Sequence, residues 1–151
     1  MIHGVAIKPI KVNPDDRGRL AEILRNDDEL FEQFGQIYFT TVYPGVVKAW
    51  HYHKLQDDHF CCVHGMIRVG LFDTREDSPT NGETQQVVMG EHNMILLRIP
   101  KGVYHGFKGL GEKEAIVINV PTMAYDHNQP DEFRLPAHTD KIPFDWDTTD
   151  R

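Results

Sequence analysis

Three stretches of this chain alternate apolar and other residues with a period of two. Ile37, Phe39, Thr41 and Tyr43 interleave with Tyr38, Thr40 and Val42; Ile67, Val69 and Leu71 with Met66, Arg68 and Gly70; and Ile116, Ile118 and Val120 with Ala115, Val117 and Asn119. Successive side chains of an extended chain point to opposite faces, so each stretch predicts a half-buried antiparallel strand. Turn-forming clusters separate them: Tyr43-Pro44-Gly45, Ser78-Pro79-Thr80-Asn81-Gly82, Gly90-Glu91-His92-Asn93 and Pro100-Lys101-Gly102. Short strands joined by tight turns predict an all-β barrel or sandwich. A helical pattern is confined to about residues 27–34, where an Asp cap precedes Leu30, Phe31 and Phe34. Beyond Tyr125 the chain turns polar and carries Pro130, Pro136 and Pro143, which predicts an extended wrap from about residue 126.

The chain of 151 residues fits a single domain with a hydrophobic core. Its 16 Lys and Arg stand against 23 Asp and Glu, a formal net charge of −7. That balance argues against nucleic acid or an anionic membrane as the main partner and leaves room for a local basic pocket that binds phosphate. The start, Met1-Ile2-His3-Gly4-Val5, lacks the basic residues and long apolar core of a signal peptide, and no apolar run approaches a membrane span. Cys61 and Cys62 are adjacent in a predicted strand, where they face opposite ways and make a poor disulfide. A soluble protein of the reducing cytoplasm is the expectation.

The chemistry concentrates in one spacing: Gly45, His51-Tyr52-His53, Asp58, Gly65, then Pro100-Lys101-Gly102-Val103-Tyr104-His105. His51 and His53 share a face of an extended strand, and Asp58 can return on its neighbour. Three imidazoles and a carboxylate suit a divalent Fe, Mn, Ni, Zn or Cu ion. They equally suit metal-free acid/base work, since imidazole titrates closest to neutral pH. Two barrel-facing histidines flanked by Val47 and Ala49 are costly without partners. Trp50 and Tyr52 face the other way, with packing as their expected role, and Lys48 joins His51 only if the strand bulges or twists. His59 and His64 are expected at the surface or an edge. Asp73 and Arg75 are expected to form a structural ion pair.

Beyond the spacing, longer motifs carry a resemblance. Asp16-Arg17-Gly18 with Glu22, Gln36 leading a strand toward Gly45, His51-Tyr52 before Gln56, the run from Phe72 to Gly82, and Pro100 to Phe107 together resemble the dTDP-4-dehydrorhamnose 3,5-epimerase family of cupins, over about residues 15–110. The resemblance implies a single-domain cupin jelly-roll barrel, here with one short N-terminal helix, that forms a homodimer. It implies an enzyme that acts without a cofactor on a nucleotide-diphosphate 4-keto sugar, with a histidine taking the proton next to the ketone. Carried over by position, His51 falls on the base, His105 on the second pocket histidine, Arg17 on a diphosphate contact, and Glu22, Gln36 and Gln56 on substrate contacts.

Four departures from the family pattern matter. Lys48 stands where the family has Arg, keeping the charge and losing the bidentate fork. His53 replaces a Gln, and Asp58 replaces a Lys. Asn119 closes the strand that carries the family's catalytic Tyr, leaving Tyr125 as a displaced substitute. The family's aspartate partner for the base corresponds to Asp150. Because His53 and Asp58 both add metal-capable groups, a rival reading is a metal-dependent cupin, a small-molecule oxygenase or free-sugar isomerase, with His51, His53, Asp58 and His105 as ligands. A non-catalytic sugar-nucleotide binder is the third reading.

Overall fold

The computed structural model describes residues 1–147. Its strands run in chain order β1 (Ala6–Pro9), β2 (Val12–Asp15), β3 (Gly18–Ala21), β4 (Tyr38–Val42), β5 (Val47–Tyr52), β6 (Asp58–His64), β7 (Met66–Asp73), β8 (Thr84–Gly90), β9 (Ile95–Ile99), β10 (Val103–Leu110), β11 (Ala115–Asn119) and β12 (Phe133–Arg134). One sheet has the order β1-β9-β6-β11-β4, the other β12-β5-β10-β7-β8, and β2 and β3 form a separate hairpin. The main core lies between the sheets. Phe60, Cys62, Leu97 and Val117 of the first sheet meet Ile67, Val69, Leu71 and Phe107 of the second there, all buried.

The predicted helix is absent: no α-helix occurs among the described residues. Residues 26–30 form turns, with Asp28 N–H donating to Arg25 O and Phe31 N–H to Asp28 O. The segment has one apolar anchor rather than an apolar stripe. Leu30 packs on Ile10, Cys61 and Leu96, while Phe34 stays exposed. So short a helix cannot offset its nucleation cost without a packed face. The Leu30 carbonyl instead accepts from His59 Nε2, and the His59 Nδ1 side meets Val120 O, each at 2.9 Å. His59 is therefore buried, against the expectation of a surface position.

The segment after Tyr125 lies along the second sheet. β12 pairs with β5, placing Phe133 opposite Tyr52 and Arg134 opposite His51. Farther on, Ile142, Phe144 and Trp146 cover Trp50 on the sheet's outer face. Both indole N–H groups donate to Ala137 O, at 3.2 Å from Trp50 and 3.1 Å from Trp146. Burying an indole here stabilises the fold by at most about 5 kcal/mol. Gly70 makes room for it, since a Cβ at that position would sit 2.8 Å from the Trp146 ring.

Opposite β10, the strand β5 bulges. His51 pairs with His105, yet Phe107 pairs with Lys48, so three steps along β5 match two along β10. The extra residue lets Lys48 and His51 turn to the same side while Trp50 goes into the outer cluster. Gly106 lies against the bulge; a Cβ there would be 2.3 Å from Ala49 Cβ.

Candidate active site

Between the sheets lies a cavity of about 520 Å³. The first sheet contributes Tyr38 and Thr40 from β4 and Asp58 and Phe60 from β6. The second contributes Lys48 and His51 from β5 and His105 and Phe107 from β10, with Glu132 and Arg134 at β12. Alternation explains the pairs Tyr38 and Thr40, Asp58 and Phe60, His105 and Phe107, and Glu132 and Arg134, and the bulge in β5 explains why Lys48 joins His51.

His51 and Glu132 form a dyad. Nδ1 of His51 donates to Oε1 of Glu132 at 3.0 Å. Burial works against the charge on Glu132, but Arg134 and His51 outweigh it and hold the carboxyl below its ordinary range, so it accepts. The proton on Nδ1 leaves Nε2 with its lone pair, the tautomer a general base needs. Burial, aided by nearby His105, pushes the His51 pKa down despite Glu132 and favours the neutral ring.

Beside the dyad, His53, Asp58 and His105 make a second cluster. Nδ1 of His53 donates to Asp131 O and Nδ1 of His105 to Val103 O. Carbonyls only accept, so both Nδ1 atoms carry protons and both Nε2 atoms turn to Asp58. Asp58 Oδ2 lies 3.3 Å from His53 Nε2 and 3.1 Å from His105 Nε2, and neither contact has hydrogen-bond geometry. Asp58 Oδ1 accepts from Gln56 Nε2 at 2.9 Å. Burial opposes ionisation of Asp58, but His105 and His53 more than offset it and hold its pKa far down. His53 is raised in turn: burial disfavours its charge, and Asp58 outweighs that.

Unprotonated Nε2 atoms would set lone pairs against a carboxylate lone pair. Either protons or one cation must lie among the three atoms, which all fall within 4.8 Å of one another. Spacings of 3.1 and 3.3 Å resemble the edge of a tetrahedron of ligands on bonds of about 2.0–2.1 Å, near 3.3 Å. The donor set therefore fits a divalent first-row metal. His51, with its Nδ1 on Glu132, lies outside this trio.

The cavity brings together most of the residues expected from sequence: His51, His53, Asp58, His105 and Lys48, with Gln36, Gln56 and Tyr125 also on its wall. Lys48 Nζ donates to Thr40 Oγ1 at 2.6 Å. Gln36 Oε1 accepts from the Tyr125 N–H at 3.2 Å. Arg17 and Glu22 are not part of this wall. Arg17 lies at the turn of the β2–β3 hairpin, exposed and paired with Asp15 at 2.6 Å, and Glu22 pairs with Arg25 just after it. Asp150 falls outside the described residues.

The model of the dTDP-4-dehydrorhamnose 3,5-epimerase family matches residues 1–151. The chain belongs to this family. It is 49% identical over 148 residues to the spore coat polysaccharide biosynthesis protein SpsL of Bacillus subtilis, covering 98% of each chain. It is 47% identical over 147 residues to the "Probable low-salt glycan biosynthesis epimerase Agl13" of Haloferax volcanii, covering 96% of this chain and 94% of the other. A crystal structure of a dTDP sugar isomerase from Desulfovibrio desulfuricans G20 superposes with a TM-score of 0.93 at 37% identity, covering 99% of this chain and 94% of that one.

As a member of this epimerase family, the chain gives its pocket histidine a partner that sequence reasoning missed. Glu132 sits in the tail segment read only as a wrap. Its one sequence signal is the alternation Glu132-Phe133-Arg134, which sends both charges to one side of an extended strand. Asp131 was missed as well. Its carboxylate accepts the N–H groups of Lys54 and Leu55, at 2.9 and 2.8 Å, and so ties the tail to the turn after His53.

Proposed function

We propose that this member of the family epimerises a nucleotide-diphosphate 4-keto sugar by removing a proton next to the ketone. The observation that carries the reading is the His51–Glu132 dyad, a neutral base with its tautomer fixed, at the wall of a cavity of about 520 Å³. Nε2 of His51 takes the proton; the C–H electron pair becomes the C=C bond of an enolate, and the ketone oxygen takes the negative charge. Lys48 faces the same cavity, and its ammonium offsets that charge. Lys48 and Arg134 also serve the diphosphate. Incubation of 4-keto nucleotide sugars in D₂O tests the reading. Wild type should place deuterium next to the ketone, and His51→Asn should lower the rate about 10²–10⁴-fold. Equal background exchange by both proteins with every sugar tried would refute it.

We further propose a homodimer. β4 is a sheet edge carrying exposed Phe39, with exposed Ile37 and Tyr43 at its ends, an unusual apolar load for a free edge. Arg17, on an exposed hairpin away from this cavity, serves the diphosphate of a second protomer's site in such an assembly. Light scattering should give twice the mass of one chain. Two unpaired buried thiols suit a reducing cytoplasm; burial pushes them up to about 11 for Cys61 and about 12 for Cys62. No helix among the described residues is long and apolar enough to cross a membrane.

One observation favours a metal-assisted variant: the unpartnered, buried Oδ2 of Asp58 between two anchored imidazoles. A cation held by His53, Asp58 and His105 would act as a Lewis acid toward the ketone oxygen. His51 would remain the base in either case.

A further inference from the structure

Epimerisation needs a proton delivered to the face opposite the one from which it was taken, so a donor must stand across the cavity from His51. This requirement rests on the epimerase reading above. His51 belongs to the second sheet, and the facing wall is made by the first. On that wall, Tyr38 of β4 is the register partner of Asn119 on β11.

The hydrogen bonds around Asn119 fix which way the phenol works. Asn119 is fully buried, and its Oδ1 accepts the backbone N–H of His59 at 3.0 Å. The amide orientation is thereby set: the oxygen is used on His59, and Nδ2 donates to the Tyr38 hydroxyl at 3.0 Å. The phenol oxygen is an acceptor in that bond. Its own proton must go elsewhere, and the side chain lines the cavity that holds His51 and Glu132. Tyr38 as a whole is 42% exposed, but its hydroxyl end meets a residue with no exposure, and burial pushes the phenol up to about 12, with Asp58 adding to the shift. At neutral pH the group is a held, protonated acid.

We propose that Tyr38 is the catalytic acid that completes the inversion. His51 Nε2 removes the proton from the carbon next to the ketone, leaving the enolate. The C=C electron pair then takes the Tyr38 proton from the other face, the new C–H bond forms, the ketone is restored, and the phenolate stays stabilised by Asn119. The enzyme resets when the His51 imidazolium releases its proton to water and the phenolate takes one from water. Tyr125, also on the wall, lies on a loop with its ring against His127 rather than on a paired strand.

Separating exchange from inversion tests this. Tyr38→Phe keeps the ring and removes only the hydroxyl. With a 4-keto nucleotide sugar in D₂O, wild type should give both deuterium incorporation and the inverted epimer. Tyr38→Phe, folded as judged by its melting temperature, should keep His51-dependent exchange into the unchanged epimer within a few-fold. Its inversion should fall about 10²-fold or more. Inversion at the wild-type rate in Tyr38→Phe overturns the proposal, as does an equal loss of exchange and inversion. So does a loss that follows Tyr125→Phe and spares Tyr38→Phe. Absence of exchange in wild type overturns the epimerase reading itself, and this proposal with it.

Discussion

His51 and Glu132 are 81 residues apart in the chain, and Nδ1 of one donates to Oε1 of the other at 3.0 Å. The contact exists because β12 pairs with the edge of β5, setting Arg134 opposite His51 and bringing the preceding glutamate within reach. Glu132→Gln should keep the fold and lower kcat, since an amide can present either an oxygen or an NH₂ to Nδ1 and no longer enforces one tautomer. A loss on the order of 10²-fold in kcat with a small change in KM is expected from steady-state kinetics. An unchanged kcat would remove Glu132 from the mechanism.

The Asp58 cluster should respond to divalent metal. If His53, Asp58 and His105 bind a cation in the folded state, Zn²⁺ or Mn²⁺ at about 100 times its Kd adds roughly 2.7 kcal/mol of stability. For a chain of this size that raises the melting temperature by roughly 5–10 °C. Asp58→Ala and His53→Ala should abolish the rise. A wild-type melting temperature indifferent to metal and to chelator would assign the cluster to shared protons alone.

Asp73 should govern acid stability through the loop that follows β7. It is fully buried and accepts from Arg75 Nε at 2.8 Å and from the hydroxyls of Ser78 and Thr80, each at 2.6 Å. Burial disfavours its charge, but these partners, Arg75 first, hold its pKa far below the ordinary 3.8. A depressed folded pKa gives stability that is fully present above the unfolded pKa and is lost as pH falls from about 4 through the folded value. Asp73→Ala should therefore cost about 3 kcal/mol at pH 7 by urea denaturation, and the gap from wild type should narrow steadily below pH 4.

Gly106→Ala tests the bulge. The added Cβ would meet Ala49 Cβ at 2.3 Å and Ala49 Cα at 2.7 Å, so β5 must shift. A loss of about 1–3 kcal/mol is expected, with a fall in kcat because His105 is adjacent and His51 lies on the displaced strand. A variant of wild-type stability and activity would show that the bulge does not set the alignment of Lys48 and His51.

Sequence by itself determined the all-β class, the family, and the convergence of His51, His53, Asp58 and His105. Period-two alternation and turn residues act over a few positions, and the spacing of inward-facing residues follows from the pleat. It also marked Lys48 as needing a bulge, which β5 contains. The short helix failed because local propensity predicts a turn of helix but cannot see that Leu30 is drawn into a separate core and its carbonyl taken by His59. Tertiary structure alone decided which side chains hydrogen-bond at the cavity wall. Glu132 reaches His51 across 81 positions, and Asn119 reaches Tyr38 across the same span. Neither pairing leaves a local pattern, because the tail's docking against β5 and the β4–β11 register arise from packing and backbone hydrogen bonds between distant segments.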